Sequence, residues 1–381
     1  MSFPDLDYEV LMRRALDLAA RGTGYVHPNP LVGAILLKDG QIIGEGYHHE
    51  VGQAHAEINA IRAAKDAGHS PEGGLMVVTL EPCAHFGRTP PCVEALVAEK
   101  ISHVVIGMID PNPAVSGRGI GYLRENGIEV MERVLQDECA AINEAFIKYI
   151  TKRTPYTAIK SAVTLDGKIA TRTGKSQWIS GPESLQFAHR LRHEYQAIMV
   201  GAGTVLADNP RLTCRWEGID RPSHPLRVVL DGKLRLPEDA HVVSGQLPNQ
   251  TIVVTAEDAD AAKIARLEKP GVDVVRLPTV DGCLDFGEVM RHLGERKIAS
   301  MIIEGGGTLI AAALEAGVVD RAYVVVAPKI FGSQDARSFV GGRGVDEVDD
   351  AWQLDDVRVG TIGRDVLIEG RVRRGKKGPS A

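Results

Sequence analysis

At 381 residues the chain exceeds what one ordinary hydrophobic core organises, so two domains are expected. Its balance of 44% hydrophobic and 25% charged residues is that of a soluble globular protein, and the net charge of −6 gives no electrostatic reason for a polyanion partner. No apolar stretch approaches the roughly 20 residues that span a bilayer. Five sparse cysteines (Cys83, Cys92, Cys139, Cys214, Cys283), behind a start MSFPDLDYEV with no signal-peptide pattern, argue against a disulfide framework and for a reducing cytosol.

In chain order, LMRRALDLAARG has helical spacing with Gly22 as a C-cap. VGAILLKDGQIIGEGY reads as two β-runs around the turn Asp39-Gly40. HAEINAIRAAKDA reads as a helix ending at Gly68, LMVVTL as a buried strand, VEALVAEK as a helix and HVVIGM as a second buried strand. VLQDECAAINEAFIKYI predicts one longer helix. Near-continuous apolar strands alternating with helices indicate an α/β layer structure. The polar TKRTP at 151–155 marks a domain boundary. A second α/β set follows: YTAIKSAVTL, a helix around SLQFAHRLRHEY, then AIMVGA, LRVVL, TIVVTA and MIIEGGG, a helix from Thr308, and AYVVVAPKIFG. VRVGTIGRDVLIEGRVR predicts a closing hairpin, and RRGKKGPSA a solvated basic tail, with RNA binding the competing reading of that tail.

His55, Glu57, Cys83 and Cys92 form the first chemical pattern. Each has a bland reading. A histidine at a helix start is commonly a cap or a surface residue, and a cysteine is commonly a small buried hydrophobe. The two cysteines could also form a disulfide. Together, and in this order, they match a catalytic zinc site, in which two thiolates and one imidazole leave a position for water. Zinc lowers the pKa of that water toward about 7. A carboxylate that is not a ligand must then move protons between the water, the ring and departing ammonia, and Glu57 is placed for that work. Cys83 follows a strand, and Cys92 opens the next helix, whose positive end favours thiolate. The signature of zinc nucleobase deaminases is H-x-E…P-C-x-x-C. Here H-A-E and P-C are present, but eight residues separate the two cysteines.

That longer loop carries information. HPNPLVGA, GYH, HAE and EPCAHFGRTPPC together resemble the deaminase half of the bifunctional riboflavin-pathway enzymes, over residues 5–150. The resemblance implies a cytidine-deaminase-like three-layer fold and a phosphoribosylamino-pyrimidine substrate whose ring amino group is replaced by oxygen. It implies one Zn2+ on His55, Cys83 and Cys92, with Glu57 as the catalytic proton carrier. It places Asn29 on the pyrimidine and His48 near the ribose or phosphate. The bland alternatives are a turn residue for Asn29 and a surface hairpin residue for His48. His85 and Arg88, in the cysteine loop, are further candidates to face the substrate.

The second half has no zinc pattern. IIEGGGTLIAAAL is a strand, three glycines and a helix, a shape that lets backbone approach a phosphate or simply makes a tight turn. VGAGTVLADNP lacks the third glycine of G-x-G-x-x-G and is not a Rossmann fingerprint. SAVTLDGKIA, GKSQWISG, VGAGTVLADNPRLTCR and IIEGGG in sequence resemble the reductase half of the same enzymes, from Tyr156 to the last hairpin. The resemblance implies a dihydrofolate-reductase-like fold, NADPH as hydride source and reduction of a ribosyl group to ribityl. It implies cofactor contacts at Ala162, Trp178, Thr204, Asp208, Gly305, Gly306, Gly307 and Thr308. It implies substrate contacts at Lys160, Asp166, Ser176, Arg192, Leu212, Arg215 and Glu304. Arg192 and Arg215 suit phosphate, since planar guanidinium groups match its oxygens. Trp178 could instead be core, Asp166 an ordinary hairpin turn, and the arginines solvated charges.

The expected organisation is therefore a deaminase domain over 1–150, a reductase domain over 151–372 and a disordered tail over 373–381. The expected setting is a cytoplasmic homo-oligomer acting on a small molecule, with no nucleic-acid or membrane partner. Two other readings stay open: a tRNA deaminase with an appended binding module, and a structural zinc with a fourth ligand such as His85.

Overall fold

The computed structural model describes residues 3–84, 90–112 and 115–375. The chain divides into two compact units, Met1–Arg153 and Thr154–Ala381.

The amino-terminal unit begins with α1 (Tyr8–Ala20), whose N-cap Asp7 accepts from the Val10 N–H. The Asp39-Gly40 turn closes the expected hairpin of β1 (Gly33–Lys38) and β2 (Gln41–Tyr47). Next come α2 (Ala56–Asp66), β3 (Leu75–Leu80), α3 (Cys92–Ala98) and β4 (His103–Met108). α4 (Arg118–Glu125) and the short β5 (Glu129–Met131) were not legible in the apolar pattern. The sheet runs β2-β1-β3-β4-β5, with β3, β4 and β5 mutually parallel. β3 and β4 are buried along their whole length, which explains their continuous apolar sequences.

The single long helix predicted over 134–150 is instead two, α5 (Gln136–Ala141) and α6 (Glu144–Lys152). Asn143 makes the break. Its Oδ1 accepts from the Leu31 N–H at 2.8 Å and its Nδ2 donates to the Leu31 carbonyl at 3.0 Å. This buried amide serves another loop's backbone and interrupts its own helix.

The carboxy-terminal unit is built on one sheet of order β10-β9-β8-β7-β13-β6-β14-β16-β15. Its elements are β6 (Tyr156–Thr164), α7 (Pro182–Glu194), β7 (Ala197–Gly201), α8 (Ala202–Asp208), β8 (Leu226–Leu230), β9 (Thr251–Ala256), α9 (Ala261–Leu267) and β10 (Val272–Leu277). A small ribbon of β11 (Thr279–Val280) and β12 (Cys283–Leu284) precedes α10 (Phe286–Glu295), β13 (Ser300–Glu304), α11 (Gly307–Glu315) and β14 (Arg321–Ala327). The predicted closing hairpin is β15 (Gln353–Ile362) and β16 (Asp365–Arg373), antiparallel at one edge of an otherwise parallel sheet. The tail beyond residue 375 lies outside the described residues. Among them, no helix is long and apolar enough to cross a membrane.

Candidate active sites

In the amino-terminal unit, α2 is seated by two glycines of β2. A Cβ on Gly44 would lie 2.2 Å from the Ala60 carbonyl oxygen, and one on Gly46 2.4 Å from the Ala60 nitrogen. Backbone therefore packs directly on backbone, and the start of α2 is held at the sheet. His55 is the N-cap of α2 but makes no side-chain cap bond, so its ring is free for another role. Cys83 leaves the carboxyl end of β3, and Cys92 is the first residue of α3.

These three elements bring His55 Nδ1 to 3.6 Å from Cys83 Sγ and 3.3 Å from Cys92 Sγ. The three ligand atoms all lie within 4.8 Å of one another. Zinc–sulfur bonds of about 2.3 Å and zinc–nitrogen bonds of about 2.0 Å at tetrahedral angles require donors roughly 3.5 Å apart. The set thus fits a zinc ion. Among the described residues no further histidine, cysteine or carboxylate joins the group. His85 and Arg88 lie outside the described residues. The cysteines are free thiols, not a disulfide. They share hydrogen bonds that hold Cys83 far below the usual thiol range and push Cys92 up. Cys83 also accepts from the Cys92 backbone N–H at 3.3 Å.

Glu57 is buried beside the thiols, and burial, then the charge of Cys83, pushes its carboxyl up to about 7. A carboxyl near that value can both take and give a proton at neutral pH. Asn29 and His48 are also together, Nδ2 to Nε2 at 3.0 Å. His48 Nδ1 faces the Ala54 carbonyl at 3.2 Å, so it must be the protonated nitrogen, and Nε2 accepts from the Asn29 amide. Both nitrogens of His48 are thereby engaged. The ring thus orients Asn29.

One residue here escaped the motif reading. Glu81, two positions before Cys83, is buried. Its Oε2 accepts from the Asp110 and Gly117 N–H groups, each at 3.1 Å. Its Oε1 accepts from Gly119 at 2.9 Å and Ile120 at 3.3 Å. Glu81 is thus a remote cap for α4, whose first N–H groups have no partner within the helix. A Cβ on Gly119 would lie 2.2 Å from the Pro82 carbonyl oxygen, so the capped helix abuts the residue next to Cys83.

In the carboxy-terminal unit, the expected residues gather at the carboxyl ends of parallel strands, where α/β sheets bind ligands. Lys160 of β6 pairs in register with Glu304 of β13. Arg192 closes its fork on Glu304, Nε at 2.8 Å and Nη2 at 2.7 Å, and gives Nη1 to the Thr213 carbonyl at 3.2 Å. Arg192, expected as a phosphate clamp, thus makes an ion pair with Glu304 as well. Burial raises the Glu304 carboxyl, but Arg192 and then Lys160 outweigh it and the net shift is downward. Burial lowers Lys160. Exposed Arg215 is lowered by partial burial and by the charges of Arg192 and Arg211, so the region is cationic. Leu212 is buried with a φ of 53°, an uncommon backbone for a leucine, which leaves its main chain for any contact.

Gly305 and Gly306 have φ of 85° and 81°, conformations that glycine adopts without strain, and Gly307 and Thr308 open α11. A Cβ on Gly306 would meet Thr204 Oγ1 at 3.4 Å, so the two strand-to-helix turns face each other. Ser176 hydrogen-bonds the Asp208 carboxylate, which burial raises. Trp178 is 64% exposed, which excludes a core role. Ala162 sits on β6 beside Val325. Asp166 accepts from the Phe331 N–H at 3.1 Å, the Gly332 N–H at 2.8 Å and the Thr164 hydroxyl at 2.6 Å, pinning a loop.

Comparison with known proteins agrees with both halves. Residues 6–108 match the cytidine and deoxycytidylate deaminase zinc-binding region, and residues 155–368 match the RibD C-terminal domain. The riboflavin biosynthesis protein RibD of Actinobacillus pleuropneumoniae is 43% identical over 365 residues, covering 96% of this chain and 94% of that one. The Escherichia coli K12 protein of the same name is 39% identical, covering 94% and 98%. A crystal structure from Thermotoga maritima, a diaminohydroxyphosphoribosylaminopyrimidine deaminase/5-amino-6-(5-phosphoribosylamino)uracil reductase, superposes with a TM-score of 0.84 at 39% identity and covers 96% of this chain and 99% of its own. RibD of Acinetobacter baumannii superposes with a TM-score of 0.85 at 33% identity, with the same coverage.

Proposed function

This chain belongs to the RibD family of riboflavin biosynthesis proteins, and from that premise we propose that it carries out two successive steps on one polypeptide. The amino-terminal unit deaminates 2,5-diamino-6-(5-phosphoribosylamino)pyrimidin-4-one. The carboxy-terminal unit reduces the product, 5-amino-6-(5-phosphoribosylamino)uracil, to its ribityl form. The observation that carries the reading is the cluster of His55, Cys83 and Cys92 beside buried Glu57, in a chain alike to RibD proteins from end to end.

His55, Cys83 and Cys92 would hold the zinc ion, which when bound would make water a nucleophile at neutral pH. Glu57 takes a proton on one side of the reaction and returns it to the departing ammonia, so water enters and ammonia leaves. Asn29, its amide nitrogen turned to His48, offers its carbonyl oxygen to a donor on the pyrimidine. NADPH, when bound, would supply the hydride to the carbonyl or imine carbon of the opened sugar, with a proton from solvent on the oxygen or nitrogen. Thr204, Trp178, Asp208, Ala162 and the turn at Gly305, Gly306, Gly307 and Thr308 form its binding wall. Lys160, Ser176, the Leu212 backbone, Arg215 and Glu304 face the substrate, with Arg215 on the phosphate and Arg192 holding Glu304 in place.

The setting is a cytoplasmic homo-oligomer acting on a small molecule. The free cysteines support the compartment, and a net charge of −6 weighs against a nucleic-acid partner. A tRNA deaminase is not favoured, since the likeness to RibD extends through the second unit. The test is incubation with the diaminopyrimidine phosphoriboside and NADPH, following ammonia and nicotinamide absorbance together. Ammonia first and NADPH oxidation second is the expected order. Ammonia without NADPH oxidation would overturn the reductase assignment, and neither signal from zinc-loaded protein would overturn the substrate.

A further inference from the structure

Residues 209–225, between α8 and β8, carry Leu212 and Arg215 yet contain neither helix nor strand. Backbone N–H groups in such a segment need acceptors from elsewhere. α7 supplies them. Gln186, His189 and His193 stand at i, i+3 and i+7, along one face of that helix. Gln186 Oε1 accepts from the Glu217 N–H at 3.1 Å, His189 Nδ1 from Arg215 at 3.2 Å and His193 Nδ1 from Ser223 at 2.9 Å. Cys214 is enclosed from both sides. Its N–H donates to His224 Nδ1 at 3.2 Å and its thiol to the His189 carbonyl at 3.1 Å.

His189 stands out in this set. It is 9% exposed, and its ring and its carbonyl hold two successive residues, Cys214 and Arg215. An imidazole that accepts through Nδ1 is neutral, with its proton on Nε2. Burial, then the charges of Arg192 and Arg215, takes His189 down to about 4, which keeps it in that accepting form at neutral pH. Three residues before Arg215, Leu212 is held at a positive φ, a conformation that persists only where its surroundings impose it.

We propose that His189 is a positioning residue for the reduction: by holding the Arg215 backbone it aims the guanidinium that meets the substrate phosphate. This rests on the reading of Arg215 as the phosphate contact. Loss of the Nδ1 acceptor leaves Arg215 present and charged, its Nη1 still donating to Thr213 Oγ1 at 3.0 Å, but frees the backbone that aims it, which weakens substrate binding and leaves hydride transfer itself intact.

The experiment is steady-state reduction by the full chain at saturating NADPH, with the deaminated phosphoriboside varied. His189→Leu removes the acceptor, and KM is expected to rise about 10-fold with kcat within about threefold. His189→Asn keeps an oxygen near the position of Nδ1 and is expected to hold KM within about threefold. A purely structural role would lower kcat through the active fraction and leave KM unmoved in both variants, which would overturn the proposal. Arg215→Ala separates the two levels of inference. A wild-type KM in Arg215→Ala removes the phosphate reading and the proposal with it. A raised KM there, with His189→Leu at the wild-type value, overturns the proposal alone. If His189→Leu does not fold, His189→Gln decides, because its longer amide displaces the acceptor; a KM equal to that of His189→Asn would overturn the proposal.

Discussion

Replacing Glu81 with glutamine isolates the clamp beside the zinc ligands. The wild-type carboxylate accepts four backbone N–H groups at 2.9–3.3 Å, from Asp110, Gly117, Gly119 and Ile120. Glutamine keeps one acceptor oxygen and turns an amide nitrogen, itself a donor, toward two of those N–H groups. Two bonds to a charged acceptor are lost, at about 1.5 kcal/mol or more each, so the unit should lose about 3 kcal/mol. For a unit of this size that lowers Tm by roughly 6–12 °C. Pro82 and Cys83 follow Glu81 directly, and the capped helix abuts Pro82, so zinc should also leave faster. The assay is a thermal scan of the deaminase transition together with zinc release to a chromogenic chelator. Reduction of supplied deaminated substrate at 25 °C serves as the control and should not change. A Tm within about 1 °C of wild type and unchanged zinc release would refute the clamp.

Glu57→Gln should lower deamination at least about 100-fold while reduction of supplied intermediate continues; loss of both activities in a folded variant would contradict two separate sites. Gly46→Ala places a methyl against the backbone of α2, so zinc content per chain, measured by atomic absorption, should fall together with Tm. Chelation of the metal should abolish ammonia release and spare NADPH oxidation with supplied intermediate. His189 has a folded pKa of about 4 against an ordinary 6.5, so its contribution to stability is fully present above pH 6.5 and is lost as pH falls toward 4. Urea melts at pH 7.5 and 5 should differ by on the order of 1–3 kcal/mol from this residue, and His189→Asn should remove that part of the difference.

The order H-A-E, P-C, P-C was readable because each piece sits at the end of a local element: the start of α2, the end of β3, the start of α3. Apolar periodicity likewise marked most strands and helices of both halves, since each depends on neighbours a few positions away. The elements it missed, α4 and β5 among them, are short or carry too few apolar residues to show a period. Nor could periodicity show that Asn143 divides a helix, because the reason is a loop at Leu31.

Polar pairing was even less legible. Nothing in the sequence singles out Glu81, whose four donors come from residues 110–120. Arg192 read as a phosphate clamp, and only the sheet order brings Glu304, far along the chain, into its fork. For His48, only the fold shows that its two nitrogens meet the Asn29 amide and the Ala54 carbonyl. Sequence alone determined which chemistry the chain carries and the elements that hold it, because ligand types and hydrophobic periods are local properties. Tertiary structure decided which charged and polar side chains bond one another, because a donor's partner is set by how distant strands and loops are brought together.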